Sequence, residues 1–532
     1  MMWTPSKNQL QLLSLNIVMV FFLILLSNVG YLPLGKGDFA FFVFLLFMLT
    51  LYRPSWGFLF FVGTIMLENI NLAPLELGLA VRPYQLIGGM TVLALLIRFL
   101  TKRLNFALAK FTLWDGAVIL LGAGSFLSLA NAPAKGASFK QAVIMLSYIA
   151  LYFLVRNFLQ TKEDLKRVLP FFISSSMVVV GYSIWQNIRF LQGGSHFEVM
   201  PGRPNGTFAE PDWMGIFLVL LLAVLYALMH YFYKNKDSME SQSILNFKFR
   251  ILNYQWGLYI FLVLTYIALI LTVARSAWVG ALAVTVVFLV VVFTQLKMNY
   301  RSWQWKDVIR MKLTIIPLFV LSIASVYFLH LTNFQLGNRA QSTGSGMQEI
   351  TISCENGIGD WKAVPITTPP LSIENMDELE QYHCRHINLE EIDAETASGR
   401  FITTALRKDP NVNIRAEIYQ KSWVLVKSHP ILGIGWGSVS GYLGTDERGA
   451  GLNASNIFLE TWLGAGLLGL ASLVVLLGFV LYNSIRFFLY QDQFFGLFLL
   501  LGLTAIIIPN LFNSGIFLGF VWLFLGLGFI KK

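Results

Sequence analysis

Charge, histidine and cysteine are all scarce in this chain. Its 532 residues include 6 His and 2 Cys, and only 13% are Asp, Glu, Lys or Arg. An ordinary soluble domain carries about twice that share of charge, so a soluble fold is excluded first. Two cysteines exclude a disulfide-built scaffold. Cys354 and Cys384 both fall in the longest polar stretch, where an oxidising compartment would let them pair and a reducing one would leave two thiols. No grouping of His, Cys, Asp and Glu has metal-ligand spacing, so neither a metal nor a cofactor is expected. Self-similarity of the kind that marks inverted-repeat transporters is also missing. The first apolar run follows a single lysine, Lys7, and lacks a small-residue cleavage site, so it reads as a retained span.

What the chain has in excess is apolar and aromatic surface: 56% hydrophobic residues, with 45 Phe and 14 Trp. A membrane-spanning helix needs about 20 apolar residues. Runs of that character lie at 12–29, 39–52, 56–67, 84–100, 113–129, 142–155 and 168–185, then at 213–229, 256–273, 277–293 and 313–329, and finally at 457–481, 494–508 and 516–530. The expected fold is therefore an all-α polytopic membrane protein with about fourteen transmembrane helices. A large extracytoplasmic loop separates the eleventh from the twelfth. The expected division is 1–331 for helices one to eleven, 332–455 for the loop or cap, and 456–532 for helices twelve to fourteen.

The net charge of +10 would suggest nucleic acid in a soluble chain; here it is judged by topology, and no nucleic-acid partner is expected. With the N-terminus in the cytoplasm, Arg98, Lys102, Arg103 and Lys110 fall inside, as do Arg156, Lys162, Lys166 and Arg167. Further on, Lys234, Lys236, Lys248 and Arg250, then Lys297, Arg301, Lys306, Arg310 and Lys312, fall inside as well. Basic residues gather on the cytoplasmic side of bilayers, so both termini are expected there. Three stretches are then exported: 187–212, the tight turn at Arg275, and 332–455. In the last of these, Ile418, Leu425 and Val426 recur at helical spacing until Pro430, as in a helix lying near the membrane surface. The preceding 342–370 is rich in Gly, Ser, Thr and Pro and reads as irregular or short-strand structure.

Four polar clusters lie on that exported side. Arg203-Pro204-Asn205-Gly206-Thr207-Phe208 precedes a span; its arginine either presents a planar fork of donors to phosphate or snorkels toward headgroups. Arg275 is caught between two spans with almost no loop, a costly place for a charge that has no function. The third cluster runs from Arg415 to Gly437 and contains His429-Pro430-Ile431-Leu432-Gly433-Ile434-Gly435. Its glycines either admit close approach to a ligand or simply end a helix; no lysine follows, so it is not a P-loop. In the fourth, Ser455-Asn456 is followed by Glu460, Gly466 and Gly469. Glu460 is either neutralised by an arginine or free to accept a proton.

In this order, the clusters resemble the O-antigen ligase and O-antigen polymerase superfamily, membrane glycosyltransferases that use polyprenyl-pyrophosphate-linked sugars. Arg82-Pro83-Tyr84-Gln85 and Ser128-Leu129-Ala130-Asn131 fit it too. The family's Arg-x-x-Gly-Thr-Phe element is matched at Arg203 to Phe208, its inter-span arginine at Arg275, and its Arg…His-Pro-x-x-Gly-x-Gly stretch at Arg415 to Gly435. Its last element, His-Asn followed after nine residues by Gly-x-x-Gly, is met at Asn456, Gly466 and Gly469, but with Ser455 in place of the histidine. That histidine is taken as the base of the ligases, so the departure tilts the reading toward a polymerase.

The resemblance implies a place in a bacterial inner membrane and, as partners, an undecaprenyl-pyrophosphate-linked glycan donor, a glycan acceptor and membrane lipid, with a chain-length regulator as a further candidate. Arg203 and Arg275 would hold the pyrophosphate, Arg415 and Asn456 would orient substrate, and Glu460 or His429, ahead of Glu210, would take the acceptor proton. A ligase that passes the glycan to lipid A core or protein is the alternative. A transporter or flippase of lipid-linked sugars is the rival from another class.

Overall fold

The computed structural model describes residues 7–194, 202–234, 246–298, 305–331, 347–356, 367–374, 378–387, 392–408, 410–445 and 451–530. The chain forms two compact units, one of residues 1–325 with 422–532 and one of 326–421.

The larger unit is helical. Its elements are α1 (Lys7–Asn28), α2 (Lys36–Tyr52), α3 (Pro54–Thr64), α4 (Pro83–Leu100), α5 (Leu113–Leu127), α6 (Lys135–Phe158), α7 (Lys162–Leu191), α8 (Pro211–Lys234), α9 (Asn246–Leu271), α10 (Arg275–Met298) and α11 (Trp305–Phe328). α12 (Pro410–Ser428) begins in the second unit and passes into the larger one at Ser422, and α13 (Ile457–Tyr490), α14 (Gln493–Asn510) and α15 (Gly519–Leu527) complete the larger unit. Among the described residues eight helices are long and apolar enough to cross a membrane, and three shorter apolar ones join them. A polytopic membrane protein is the consequence.

Local chemistry starts these helices where it should. Pro83 opens α4, where its missing N–H costs nothing. Thr112 with Asp115, and Thr161 with Asp164, form reciprocal capping boxes at α5 and α7. Asn456 caps α13 by accepting from the Phe458 and Leu459 amides at 2.9 and 3.2 Å.

Two sets of contacts mark the two ends of the helical unit. At one end Arg156 pairs with Asp115 at 3.0 Å and Lys162 with Asp492 at 2.7 Å, while Arg98 donates to the Leu51 carbonyl at 3.0 Å. At the other, Thr207 donates to the Met66 carbonyl at 2.6 Å and the Ser138 and Ser438 hydroxyls meet at 3.0 Å. This second end gathers every connection that carries a polar cluster in the larger unit.

The unit of 326–421 contains a four-stranded sheet in the order β2-β4-β1-β3, with β1 at Met347–Cys354, β2 at Ser372–Ile373, β3 at Cys384–His386 and β4 at Phe401–Lys408. The all-α expectation is corrected here. Ile350, Ile352 and Cys354 alternate along β1 and are buried with Ile373, Cys384 and Ala405, the period of two that makes a strand. Cys354 and Cys384 are register partners on β1 and β3 and form a disulfide.

Candidate functional site

Arg203 follows Gly202, whose φ of 69 turns the chain sharply, and is 6% exposed. Its Nε donates to the Thr272 carbonyl at 3.0 Å, and its Nη2 pairs with Asp212 in the first turn of α8 at 3.3 Å. A guanidinium held at two points has a fixed plane. The loop behind it is equally fixed, because the Gln186 side chain accepts from the Gly206 amide at 2.7 Å and the Asn69 amide donates to the Thr207 carbonyl at 2.7 Å.

Thr272 belongs to the three-residue turn between α9 and α10. Val273 sits there at a φ of 50, an unfavourable conformation for a β-branched residue. Arg275, half-buried, is the first residue of α10. The structure thus brings Arg203 to the turn that carries Arg275. Gly215 permits it: a Cβ there would lie 2.6 Å from that of Ala277.

Asn456 and Glu460 share the start of α13. Glu460, 6% exposed, accepts from the Ala454 amide at 2.6 Å, and so braces the turn in which Ser455 takes a φ of 48. Among the described residues no arginine pairs with this carboxylate. Asn456 also donates to the Leu511 carbonyl at 3.1 Å. Two residues on, Asn513 donates to the Ser276 hydroxyl at 2.8 Å, next to Arg275. The segment 511–519, from the end of α14 to the first residue of α15, therefore joins the start of α13 to the turn of Arg275.

His429 lies beyond the end of α12, its Nδ1 2.9 Å from the Ser428 hydroxyl. The glycine-rich residues after it serve packing. At Gly466 (φ 68) α13 breaks, freeing the Leu463 carbonyl and the Leu467 amide. The incoming loop satisfies both: the Ile434 amide donates to Leu463 at 2.8 Å, and the Leu467 amide donates to Ile431 at 2.9 Å. Trp436 then buries itself against Gly464 and donates to the Ser125 hydroxyl at 2.9 Å. Arg415 lies half-buried on α12 within the unit of 326–421.

Sequence reasoning did not single out a buried group at the same end. Glu68, in the α3–α4 connection, accepts from the Gly519 amide at 2.6 Å and from the Tyr84 hydroxyl at 2.9 Å, and pairs with Arg82 at 3.0 Å. The available signal was a lone carboxylate directly after an apolar run, with Arg82-Pro83-Tyr84 beyond it.

Among the described residues no group of three or more His, Cys, Asp or Glu could hold a metal ion. Residues 258–474 match the family model described as O-antigen ligase. The match runs from α9 into α13 and spans Arg275, Arg415, His429, Asn456 and Glu460; Arg203 precedes it. No curated protein and no solved structure matches the chain.

Proposed function

We propose that this member of the O-antigen ligase and polymerase superfamily transfers a glycan from polyprenyl pyrophosphate to an acceptor hydroxyl at the outer face of the inner membrane. The observation that carries the reading is the attachment of Arg203, through the Thr272 carbonyl, to the turn of Arg275. Two guanidinium groups at one end of a membrane bundle suit the charge of a pyrophosphate leaving group.

In the proposed reaction the acceptor oxygen gives its proton to Glu460 and attacks the anomeric carbon. The bond from that carbon to the phosphate oxygen breaks, and polyprenyl pyrophosphate departs with the bonding electrons, its charge held by Arg203 and Arg275. His429 is the second candidate base. Asn456, bonded to the segment that reaches Ser276, orients the donor. Arg415 is assigned to the acceptor glycan.

Polymerase is the preferred form, because Ser455 stands where the ligases have their histidine. The ligase form is the second reading, favoured by the description of the matched family. Incubating the purified protein with a lipid-linked oligosaccharide tests both. A ladder of longer lipid-linked products supports the polymerase, and transfer only to an added lipid A core supports the ligase. No product with either acceptor refutes the proposal.

A further inference from the structure

A buried ion pair generally stabilises a fold no better than apolar packing of the same volume, so the use made of its hydrogen bonds is informative. Around Glu68 they converge on one segment. The carboxylate, with its side chain fully buried, takes the Gly519 amide at 2.6 Å on one oxygen. On the other it takes Tyr84 at 2.9 Å and Arg82 at 3.0 Å. Arg82 also donates to the Glu68 carbonyl at 2.7 Å and to the Tyr148 hydroxyl at 2.8 Å. Tyr148 in turn donates to the Phe517 carbonyl. Two backbone groups of 511–519 are thereby anchored to the α3–α4 connection, α4 and α6.

The near end of the same segment supports both halves of the proposed site, through Leu511 to Asn456 and through Asn513 to Ser276. Between the anchors lies Ser514, 7% exposed, its hydroxyl without a partner among the described residues. Nothing at Ser514 itself holds the segment. The buried Asp115–Arg156 pair differs: its bonds go to Tyr152, Thr112 and Lys110 at the opposite end.

We infer that Glu68, with Arg82 and Tyr148, is a positioning group: it locks 511–519 and through it holds Asn456 and the Arg275 turn in register for transfer. This rests on the proposed transfer site. Loss of the Glu68 charge would leave the helices in place and let the segment move.

The chain suits a direct test, because its only two cysteines are joined and no free thiol remains among the described residues. Ser514→Cys then serves as a reporter that breaks no hydrogen bond. Under oxidising conditions a membrane-impermeant maleimide should label it slowly. Adding Glu68→Gln or Tyr148→Phe should raise the rate by about tenfold, as local opening does, while Asp115→Asn should not. Tyr148→Phe keeps the ring stacked on Trp522 and stands in if Glu68→Gln does not fold.

With a lipid-linked donor, both variants on an otherwise native background should lose about tenfold in kcat with the donor KM within about twofold. Unchanged labelling in both variants overturns the locking role. Faster labelling with unchanged kcat overturns its importance for transfer. Should the native protein transfer nothing, the functional proposal fails, and labelling still decides whether Glu68 holds the segment.

Discussion

Gly433 and Gly466 face one another where neither has room for a side chain. A Cβ on Gly433 would lie 2.9 Å from the Gly466 amide nitrogen and 2.4 Å from the Leu463 carbonyl oxygen; one on Gly466 would lie 2.2 Å from the Ile431 carbonyl oxygen. Both residues have a positive φ, 70 and 68. These two glycines, one from the His429–Gly435 stretch and one from the Gly466–Gly469 element, thus let a loop dock into a broken helix, which sets the direction of the first turns of α13 and so the place of Glu460.

Gly433→Ala and Gly466→Ala should each destabilise the protein, by at least the roughly 1–3 kcal/mol of a strained backbone conformation and more where the backbone must move. Gly478→Ala, further along α13 with nothing within 4 Å, should be silent. Melting in detergent compares the three, and equal melting temperatures would remove the docking account.

Arg203→Ala and Arg275→Ala should each lower transfer on the order of 100-fold, the loss typical of one charge-stabilising donor, without loss of insertion. Lysine should rescue poorly at Arg203, because a single ammonium cannot reach both Thr272 and Asp212 with the same geometry. Glycan length in cells at native expression is the measurement, and normal length in either alanine variant contradicts the assignment.

Glu460→Gln should abolish turnover yet retain donor binding. The amide oxygen can still accept from Ala454, so the turn survives and only the proton acceptor is lost. His429→Ala should be milder. Full activity in both variants would require a proton route through neither group.

Cys354 and Cys384 should be silent to a membrane-impermeant thiol reagent until reduced, and should then label in intact cells from outside. Labelling confined to permeabilised cells would reverse the topology and remove the site with it.

In the sheet unit, Glu395 accepts from Ser353 at 2.6 Å and pairs with Arg385. The Ser353 hydroxyl first, and then the Arg385 guanidinium, hold its carboxyl below the ordinary range. A depressed carboxyl contributes stability that is complete above its unfolded value, about 4.3, and is lost as pH falls through the folded one. The protection factors of the β1 and β4 amides in the full chain, corrected for the pH dependence of intrinsic exchange, should therefore fall on acidification below about pH 4. Glu395→Gln should flatten that acid dependence, and an unchanged profile would show that the pair does not brace the sheet.

Much of the helical unit was legible because its signals are local. Apolar runs mark α1 to α11 and α13 to α15, and the end of α12 falls at Ser428, just before His429-Pro430. The sheet was less legible, since a strand eight residues long in a Gly- and Thr-rich stretch carries only a weak period of two. Glu68 was missed for another reason. Its value lies in a bond to Gly519, 451 positions away, which no window along the chain contains.

Hydropathy and charge therefore determined, from the sequence alone, a membrane protein with its polar clusters set in connections between spans. They could do so because burial in lipid constrains each segment by itself. Only the tertiary structure decided that Arg203 reaches the Arg275 turn, that the glycine-rich loop fills a break in α13 instead of wrapping a ligand, and that 511–519 ties these parts together. Such choices depend on which distant partner satisfies each buried donor and acceptor, and that is settled when the helices pack.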